Sequence, residues 1–216
     1  MVMDKKKILL LGTRSLAEEI CDFLEDCPEL SVTGFVENMN RRLEGETLLG
    51  YPIYWVDDIR AMIPESLGIC TLATTLRTSY VEQVAAMGLR FATIAHPTAR
   101  VSKRAVLGTG CLVSPCSLVS ANSVLGDHVF LNRGVLIGHH TRIDSYATLQ
   151  PGVNIAGCCD IGTQVFIGMG ATVLDRIRIG DGAIIGAGSL VNKDVPPRSM
   201  VLGVPARVVK TDVDPR

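Results

Sequence analysis

Every sixth residue from Val101 to Val191 is isoleucine, valine or leucine, sixteen times in succession. The series runs Val101, Leu107, Val113, Val119, Leu125, Leu131, Ile137, Ile143, Leu149, Ile155, Ile161, Ile167, Val173, Ile179, Ile185 and Val191. Four residues after each stands a small or β-branched side chain, from Ala105 and Cys111 through to Ser189 and Val195. A helix repeats its apolar positions every three or four residues and a half-buried strand every two, so a period of six matches neither. It is the pattern of a hexapeptide parallel β-helix, in which each hexad supplies one short strand and one corner of a triangular coil. Three hexads close a coil, so residues eighteen apart stack. The aliphatic column fills the interior, at about 1.5–3 kcal/mol per buried side chain. The second column must be small because it lies near the corner. Glycine often follows the aliphatic residue (Gly108, Gly126, Gly138, Gly162, Gly168, Gly180, Gly186), where it is expected to ease the backbone through the bend.

The first hundred residues follow another rule. Ile8–Leu11 is an unbroken aliphatic run ending at Gly12, the pattern of a strand buried on both faces of a parallel sheet. Ser15-x-x-Glu18 reads as a capping box, opening a helix whose apolar face is Leu16, Ile20, Phe23, Leu24 and Cys27. Ser31–Val36 and Leu67–Leu72 read as further strands. Ser79-x-x-Glu82 reads as a second capping box, for a helix with Tyr80, Val81, Val84 and Ala85 inside, and Phe91–Ile94 as a last short strand. Alternating strands and helices predict a small parallel sheet of Rossmann-like type. His96-Pro97 marks the junction, because a residue before proline is extended, and the β-helix is expected to begin near Ala99. The expected domains are therefore 1–95 and 96–216, with His96 structural. The turn Gly12-Thr13-Arg14-Ser15 lacks the dinucleotide glycine fingerprint. A strand leading to a helix N-terminus still favours an anion, which makes Gly12, Arg14 and Ser15 candidate substrate contacts.

A net charge of −1 gives no general attraction to nucleic acid or to an anionic membrane, and neither partner is expected. The charge is unevenly spread: ten Lys or Arg against fourteen Asp or Glu up to residue 100, and eleven against eight after it. A mildly basic β-helix suits an anionic ligand. The seven cysteines form no C-x-x-C pair and no disulfide framework, and several occupy small positions of the hexad, which points to a reducing, cytoplasmic setting. Met1–Lys7 is basic, but Ile8–Leu11 is too short for a signal sequence and no run of eighteen apolar residues exists. A soluble protein is expected.

His139 and His140 are the third and fourth residues of the hexad opening at Ile137, outside the aliphatic column, so both side chains are expected on the outer surface. Eighteen residues on stand Gly157 and Cys158, then Asp175 and Arg176. Gly157 leaves open space above His139. His128 falls on a different face, where a solvated side chain is expected.

The segment Leu131-Asn132-Arg133-Gly134-Val135-Leu136-Ile137-Gly138-His139-His140, the hexads and the ending Val201-Leu202-Gly203-Val204-Pro205-Ala206-Arg207 resemble one family in particular. It is that of bacterial sugar acyltransferases joining a Rossmann-like domain to a left-handed β-helix. Its members include N-acetyltransferases of nucleotide-linked 4-amino sugars and sialic acid O-acetyltransferases. The resemblance implies left-handed winding, an exception to the usual right-handed crossover. It implies acetyl-CoA as co-substrate, no metal, and a homotrimer with active sites between subunits. His139 matches the general base, which takes a proton from the sugar amine or hydroxyl as it attacks the thioester. Imidazole titrates near neutrality, where a general base works best. The Gly157 N–H matches an oxyanion donor and Asn132 a substrate contact. Thr148, Gly157, Met169 and Ala187 match coenzyme contacts, and Glu37, Asn38 and Ala73 match positions that serve the nucleotide.

Some residues depart from the family pattern. The acidic neighbour of the base is replaced by His140, a second histidine by Thr148, the glycine-rich turn by Thr13-Arg14-Ser15-Leu16, an acidic pair by Glu37-Asn38, and a later glycine by Ala73. The expected function is acetyl-CoA-dependent N-acetylation of a nucleotide-linked amino sugar in surface-glycan biosynthesis. O-acetylation of a sugar or sialic acid is the related alternative. His140 and Thr148 motivate a further one, a non-catalytic binding or scaffold protein. A carbonic-anhydrase-like zinc site would need three converging histidines, and the hexads offer only adjacent His139 and His140 plus distant His128.

Overall fold

A computed structural model describes residues 5–216; Met1–Asp4, the beginning of the basic start, lie outside the described residues. The chain divides into two compact units. One comprises the residues up to Leu72 together with Arg77–Ala92, the other Ala73–Leu76 together with Thr93–Arg216.

The first unit is a six-stranded sheet flanked by helices. Its elements run β1 (Lys6–Leu11), α1 (Ser15–Glu25), β2 (Leu30–Glu37), β3 (Thr47–Leu48), β4 (Tyr51–Trp55), β5 (Ser66–Cys70), α2 (Thr78–Ala86) and β6 (Arg90–Phe91). The spatial order is β3-β4-β2-β1-β5-β6. Every pairing is parallel except the β3–β4 hairpin. The aliphatic run lies at the centre: Ile8, Leu9, Leu10 and Leu11 are wholly buried. Helix α1 buries Ala17, Ile20, Cys21 and Leu24. Neither capping box forms. Arg14 occupies the N-cap of α1 and Arg77 that of α2, with no side-chain cap, so Ser15 and Ser79 both fall inside their helices. Glu18 still stands in the first turn of α1, where the helix dipole favours a negative charge. The hairpin and the 3₁₀ turns between Arg41 and Glu65 carry no apolar period and are seen only in the structure.

The second unit is a parallel β-helix of three sheets. The first face stacks Ile94–Ala95, Leu112–Val113, Phe130–Leu131, Thr148–Leu149, Phe166–Ile167, Ile184–Ile185 and Met200–Gly203. The second stacks Arg100–Val101, Leu118–Val119, Leu136–Ile137, Asn154–Ile155, Thr172–Val173 and Leu190–Val191. The third stacks Val106–Leu107, Val124–Leu125, Arg142–Ile143, Asp160–Ile161 and Arg178–Ile179. Partners within the repeats are eighteen residues apart, as in Leu136↔Asn154, so three hexads do close one coil. Stacking begins at Ile94, a few residues before Ala99. It ends in an antiparallel turn-back, Ala206–Lys210 on Met200–Gly203.

Both sequence columns point inward and form one core from Cys111 to Val201. Polar members of the small column are satisfied by the coil above. Ser117 Oγ donates to the Asn132 carbonyl (3.0 Å), Ser123 Oγ to Gly138 (2.9 Å) and Thr141 Oγ1 to Ala156 (3.1 Å). This keeps hydroxyls from being buried without a partner.

The corner geometry corrects the reading of the glycines. The left-handed residue lies three places after the aliphatic one, in every hexad from Gly110 to Gly188, and non-glycine residues such as Asn122, His128, His140 and Cys158 fill it as well. The glycine directly after the aliphatic residue has another duty. A Cβ at Gly138 would come within 2.4 Å of the Ala156 carbonyl carbon on the next coil, so that position is set by close approach of backbones. His128 likewise is not solvated. It is buried and stacked on Tyr146 at 5.1 Å between ring centroids, because the two are successive members of one corner column.

Replacing inward Ile155 by Asp is expected to abolish soluble expression. It places a charge in a column with no polar partner, at a cost of several kcal/mol against a total stability of about 5–15 kcal/mol. A soluble variant with unchanged thermal midpoint would contradict the inward register.

Candidate active site

His139 and His140 stand at the corner that follows the second face, and both are exposed. His140 is the left-handed residue (φ 57°), so the chain reverses direction just past His139. The corner is held by backbone bonds to the coils on either side: His140 N–H donates to the Ala121 carbonyl (3.0 Å), and Cys158 N–H to the His139 carbonyl (2.8 Å). The two imidazoles meet nearly at right angles, with 3.1 Å between their Nδ1 atoms. The far nitrogen of His140, Nε2, lies 3.0 Å from the side-chain amide of Asn122, eighteen residues earlier.

Gly157 sits directly against the His139 ring. A Cβ there would lie 2.8 Å from Cε1 and Nε2 of the imidazole, so only glycine leaves the ring its place. The Gly157 carbonyl accepts from Arg176 N–H (3.0 Å), while among the described residues its own N–H has no acceptor. An imidazole and an unused backbone donor therefore share one exposed corner. That is the pairing acyl transfer requires, a base for the nucleophile and a donor for developing negative charge.

Met169 and Ala187 lie elsewhere, at the corner that follows the first face. With Ala73, Thr74, Leu76, Gln150, Phe166 and Arg216 they line a groove of about 650 Å³. Its walls are largely apolar, and the Arg216 guanidinium lies over the Phe166 ring at 4.8 Å. Thr75 fixes the rim through bonds from its N–H and hydroxyl to the Arg216 carbonyl. Ala73, matched at the sequence level to the nucleotide, lines this groove instead, and its carbonyl accepts from Gln150 Nε2 (3.4 Å). Gln150 in turn accepts from Asn132 Nδ2 (3.4 Å), linking buried Asn132 to the groove. Thr148 is wholly buried on the first face, between Phe130 and Phe166 in the strand register.

The first unit has a cavity of its own, about 210 Å³, lined among others by Gly12, Thr13, Arg14, Glu37, Asn38 and Tyr80. Gly12 has φ 121°, and a Cβ on it would meet Thr71 Oγ1 at 2.8 Å. Ser15 is not part of this lining. Both oxygens of Glu37 are engaged: Oε1 accepts the N–H groups of Asn38, Met39 and Asn40 (3.1, 2.7 and 3.1 Å), and Oε2 accepts the Thr13 hydroxyl. Burial pushes its carboxyl up, but these hydrogen bonds outweigh it and hold the group below the usual carboxylate range. Glu37 thus shapes the rim of the cavity. Burial raises the Tyr80 phenol, whose hydroxyl donates to the Val36 carbonyl (2.8 Å).

The sequence reading missed Asn122, Gln150, Phe166 and Arg216. Asn122 was within reach, since it stands eighteen residues before His140. Arg216 lies beyond the hexads, and no spacing leads to it.

Residues 158–193 match the model of the bacterial transferase hexapeptide (six repeats). Perosamine N-acetyltransferase from Caulobacter crescentus, a histidine-to-asparagine variant in complex with CoA and GDP-perosamine, is similar with a TM-score of 0.87. The identity is 27%, over 94% of this chain and 97% of that one. The acetyltransferase domain of PglB from Neisseria gonorrhoeae, in complex with acetyl coenzyme A, gives 0.87 at 25% identity, over 95% and 100%. WeeI from Acinetobacter baumannii gives 0.86 at 25%, over 94% and 99%. No curated protein sequence matches. Over nearly its whole length the chain is thus similar to acetyltransferases solved with CoA or acetyl-CoA, which makes it an acyltransferase.

In this acyltransferase the fit between His139 and Gly157 admits a direct check. Gly157→Ala is expected to displace the imidazole while leaving the coil intact, because Gly157 does not have a left-handed backbone. Turnover should fall by roughly 10²-fold, the scale of an ångström-sized misplacement, at nearly unchanged thermal midpoint. Wild-type turnover would show that the ring's place against Gly157 does not matter.

Proposed function

We propose that the protein transfers the acetyl group of acetyl-CoA to the amine of a nucleotide-linked amino sugar, with His139 as general base. The observation that carries this reading is the exposed His139 seated on Gly157, next to an N–H without an acceptor. The relatives add the ligand classes: one was solved with CoA and GDP-perosamine, another with acetyl coenzyme A.

The groove at Met169 and Ala187 fits such a co-substrate. Its apolar walls suit a thin alkyl-amide chain, Arg216 offers a positive charge to phosphate, and the exposed backbone of the Met169 and Ala187 corner offers peptide groups. Bound there, acetyl-CoA supplies the activated acetyl group. His139 accepts the proton that the acceptor amine sheds on attack, and the Gly157 N–H donates to the oxygen on which charge develops. His140 holds the His139 ring through the contact between their Nδ1 atoms. The first unit, taken as a Rossmann-like nucleotide-binding domain, offers its cavity at Gly12, Arg14 and Asn38 to the nucleotide.

A homotrimer with shared sites is part of this reading. His139 and the groove occupy different corners of the β-helix, and a triangular coil packed against copies of itself can bring the corner of one copy to the groove of the next. Cytoplasmic placement accords with the seven cysteines, all free, and with the observation that no helix among the described residues is long and apolar enough to cross a membrane.

Release of free thiol from acetyl-CoA, with a panel of UDP-, dTDP- and GDP-linked 4-amino sugars, is expected to identify an acceptor. His139→Asn should then lower kcat by roughly 10²–10⁴-fold with CoA affinity nearly intact. No thiol release with any acceptor, or an unimpaired His139→Asn, would overturn the reading. Light scattering is expected to give three times the chain mass; a monomer at micromolar concentration would rule out shared sites.

A further inference from the structure

His140 raises a problem that its neighbours resolve. A neutral imidazole has one nitrogen that donates and one that accepts. His139 can act as a base at Nε2 only if its own proton is on Nδ1 and something accepts that proton. The group facing His139 Nδ1 is His140 Nδ1, at 3.1 Å. Two facing ring nitrogens form a hydrogen bond only if one carries the proton and the other does not. The tautomer of His139 is therefore tied to that of His140. The tautomer of His140 is tied to whatever meets its Nε2, which is the Asn122 amide at 3.0 Å.

The two orientations of that amide have the same shape and opposite consequences. With the amide nitrogen toward His140, as drawn in the structure, His140 Nε2 accepts. Its Nδ1 then donates to His139, and the proton of His139 is left on Nε2. With the amide turned by half a revolution, the oxygen accepts from His140 Nε2–H. His140 Nδ1 then accepts from His139 Nδ1–H, and His139 Nε2 is bare. Only the second chain makes a base. Oxygen and nitrogen of an amide exchange places by rotation about one side-chain bond.

We propose that Asn122 is a positioning residue that sets the tautomer of His139 through His140, with its amide oxygen facing His140 in the active form. The inference rests on His139 being the base. The relay replaces an acidic neighbour with two neutral groups, so His139 is oriented without a fixed negative charge beside it. The corner column makes the relay possible. Asn122 and His140 are stacked one coil apart, both left-handed (φ 60° and 57°), which aims both side chains along the same edge.

The left-handed backbone also dictates the variants. Alanine at position 122 would add backbone strain, whereas Asn122→Gly removes the amide without it, and Asn122→Asp leaves a group that can only accept. With histidines labelled in ¹⁵N, the two-bond proton–nitrogen pattern reports each tautomer directly; only four histidines need assigning, by single replacement. The wild type is expected to carry the His139 proton on Nδ1, Asn122→Gly to show a mixture, and Asn122→Asp to restore the wild-type pattern. In turnover, Asn122→Gly should lower kcat by about three- to tenfold, the usual worth of one hydrogen bond, at unchanged KM, and Asn122→Asp should recover it. Wild-type His139 protonated on Nε2, or an Asn122→Gly pattern identical to wild type, would overturn the proposal. If the tautomer responds as described and kcat does not, the relay stands and the assignment of His139 as base fails.

Discussion

The structure depends on the stacking of each coil on the one eighteen residues before it. A strand of two residues is too short to hold by itself, so each is pinned by parallel backbone bonds to the strands above and below, and the aliphatic column closes behind it. Residues that sit one coil apart interact as nearest neighbours, and stability accrues coil by coil, as in other repeat proteins. The arrangement has a cost. Each hexad from Gly110 to Gly188 turns through a left-handed residue, which for a side chain other than glycine costs about 1–2 kcal/mol. Burial of the aliphatic column, about 1.5–3 kcal/mol per member, offsets it. Asparagine and histidine tolerate this conformation better than most side chains, though less well than glycine. That makes His140 and Asn122 informative, since glycine would serve the fold at least as well.

This constraint also explains what was legible in advance. The period of six specified the three faces, the inward columns and the eighteen-residue spacing, and with them the meeting of His139 and Gly157. It did not specify which position turns left-handed. Glycine was visible in one column while the turn lay in another, filled by chemically unlike residues whose common property is a dihedral angle. His128 was misplaced for a related reason. A corner position is exposed by default, but a large neighbour one coil away, Tyr146, covers the ring. The capping boxes failed because each helix starts one or two residues earlier than the motif implies, with Arg14 and Arg77 at the caps. The groove at Met169 was only half legible, since Ala73–Leu76 and Arg216 reach it from outside the repeat.

A β-helix whose interior is closed by aliphatic side chains leaves chemistry only its corners. The corners are rigid, because each is hydrogen-bonded to the coils on both sides, which suits a base that must hold an imidazole against a backbone N–H. The same rigidity keeps His139 and the groove apart, at different corners. The central claim of the proposed function is that a site needing both is completed by a second copy of the chain.

Mixed oligomers test that claim most directly. His139→Asn removes the proposed base, and Ala187→Trp, at an exposed corner residue, blocks the groove without touching the core. Co-expressed with different affinity tags and purified through both, the two variants form trimers of either composition. Each mixed trimer then holds one interface with an intact base facing an intact groove. Two inactive parents are thus expected to give about one third of wild-type activity, as the geometry of a closed three-fold ring requires. Mixed trimers as inactive as their parents would show that base and groove must come from the same chain.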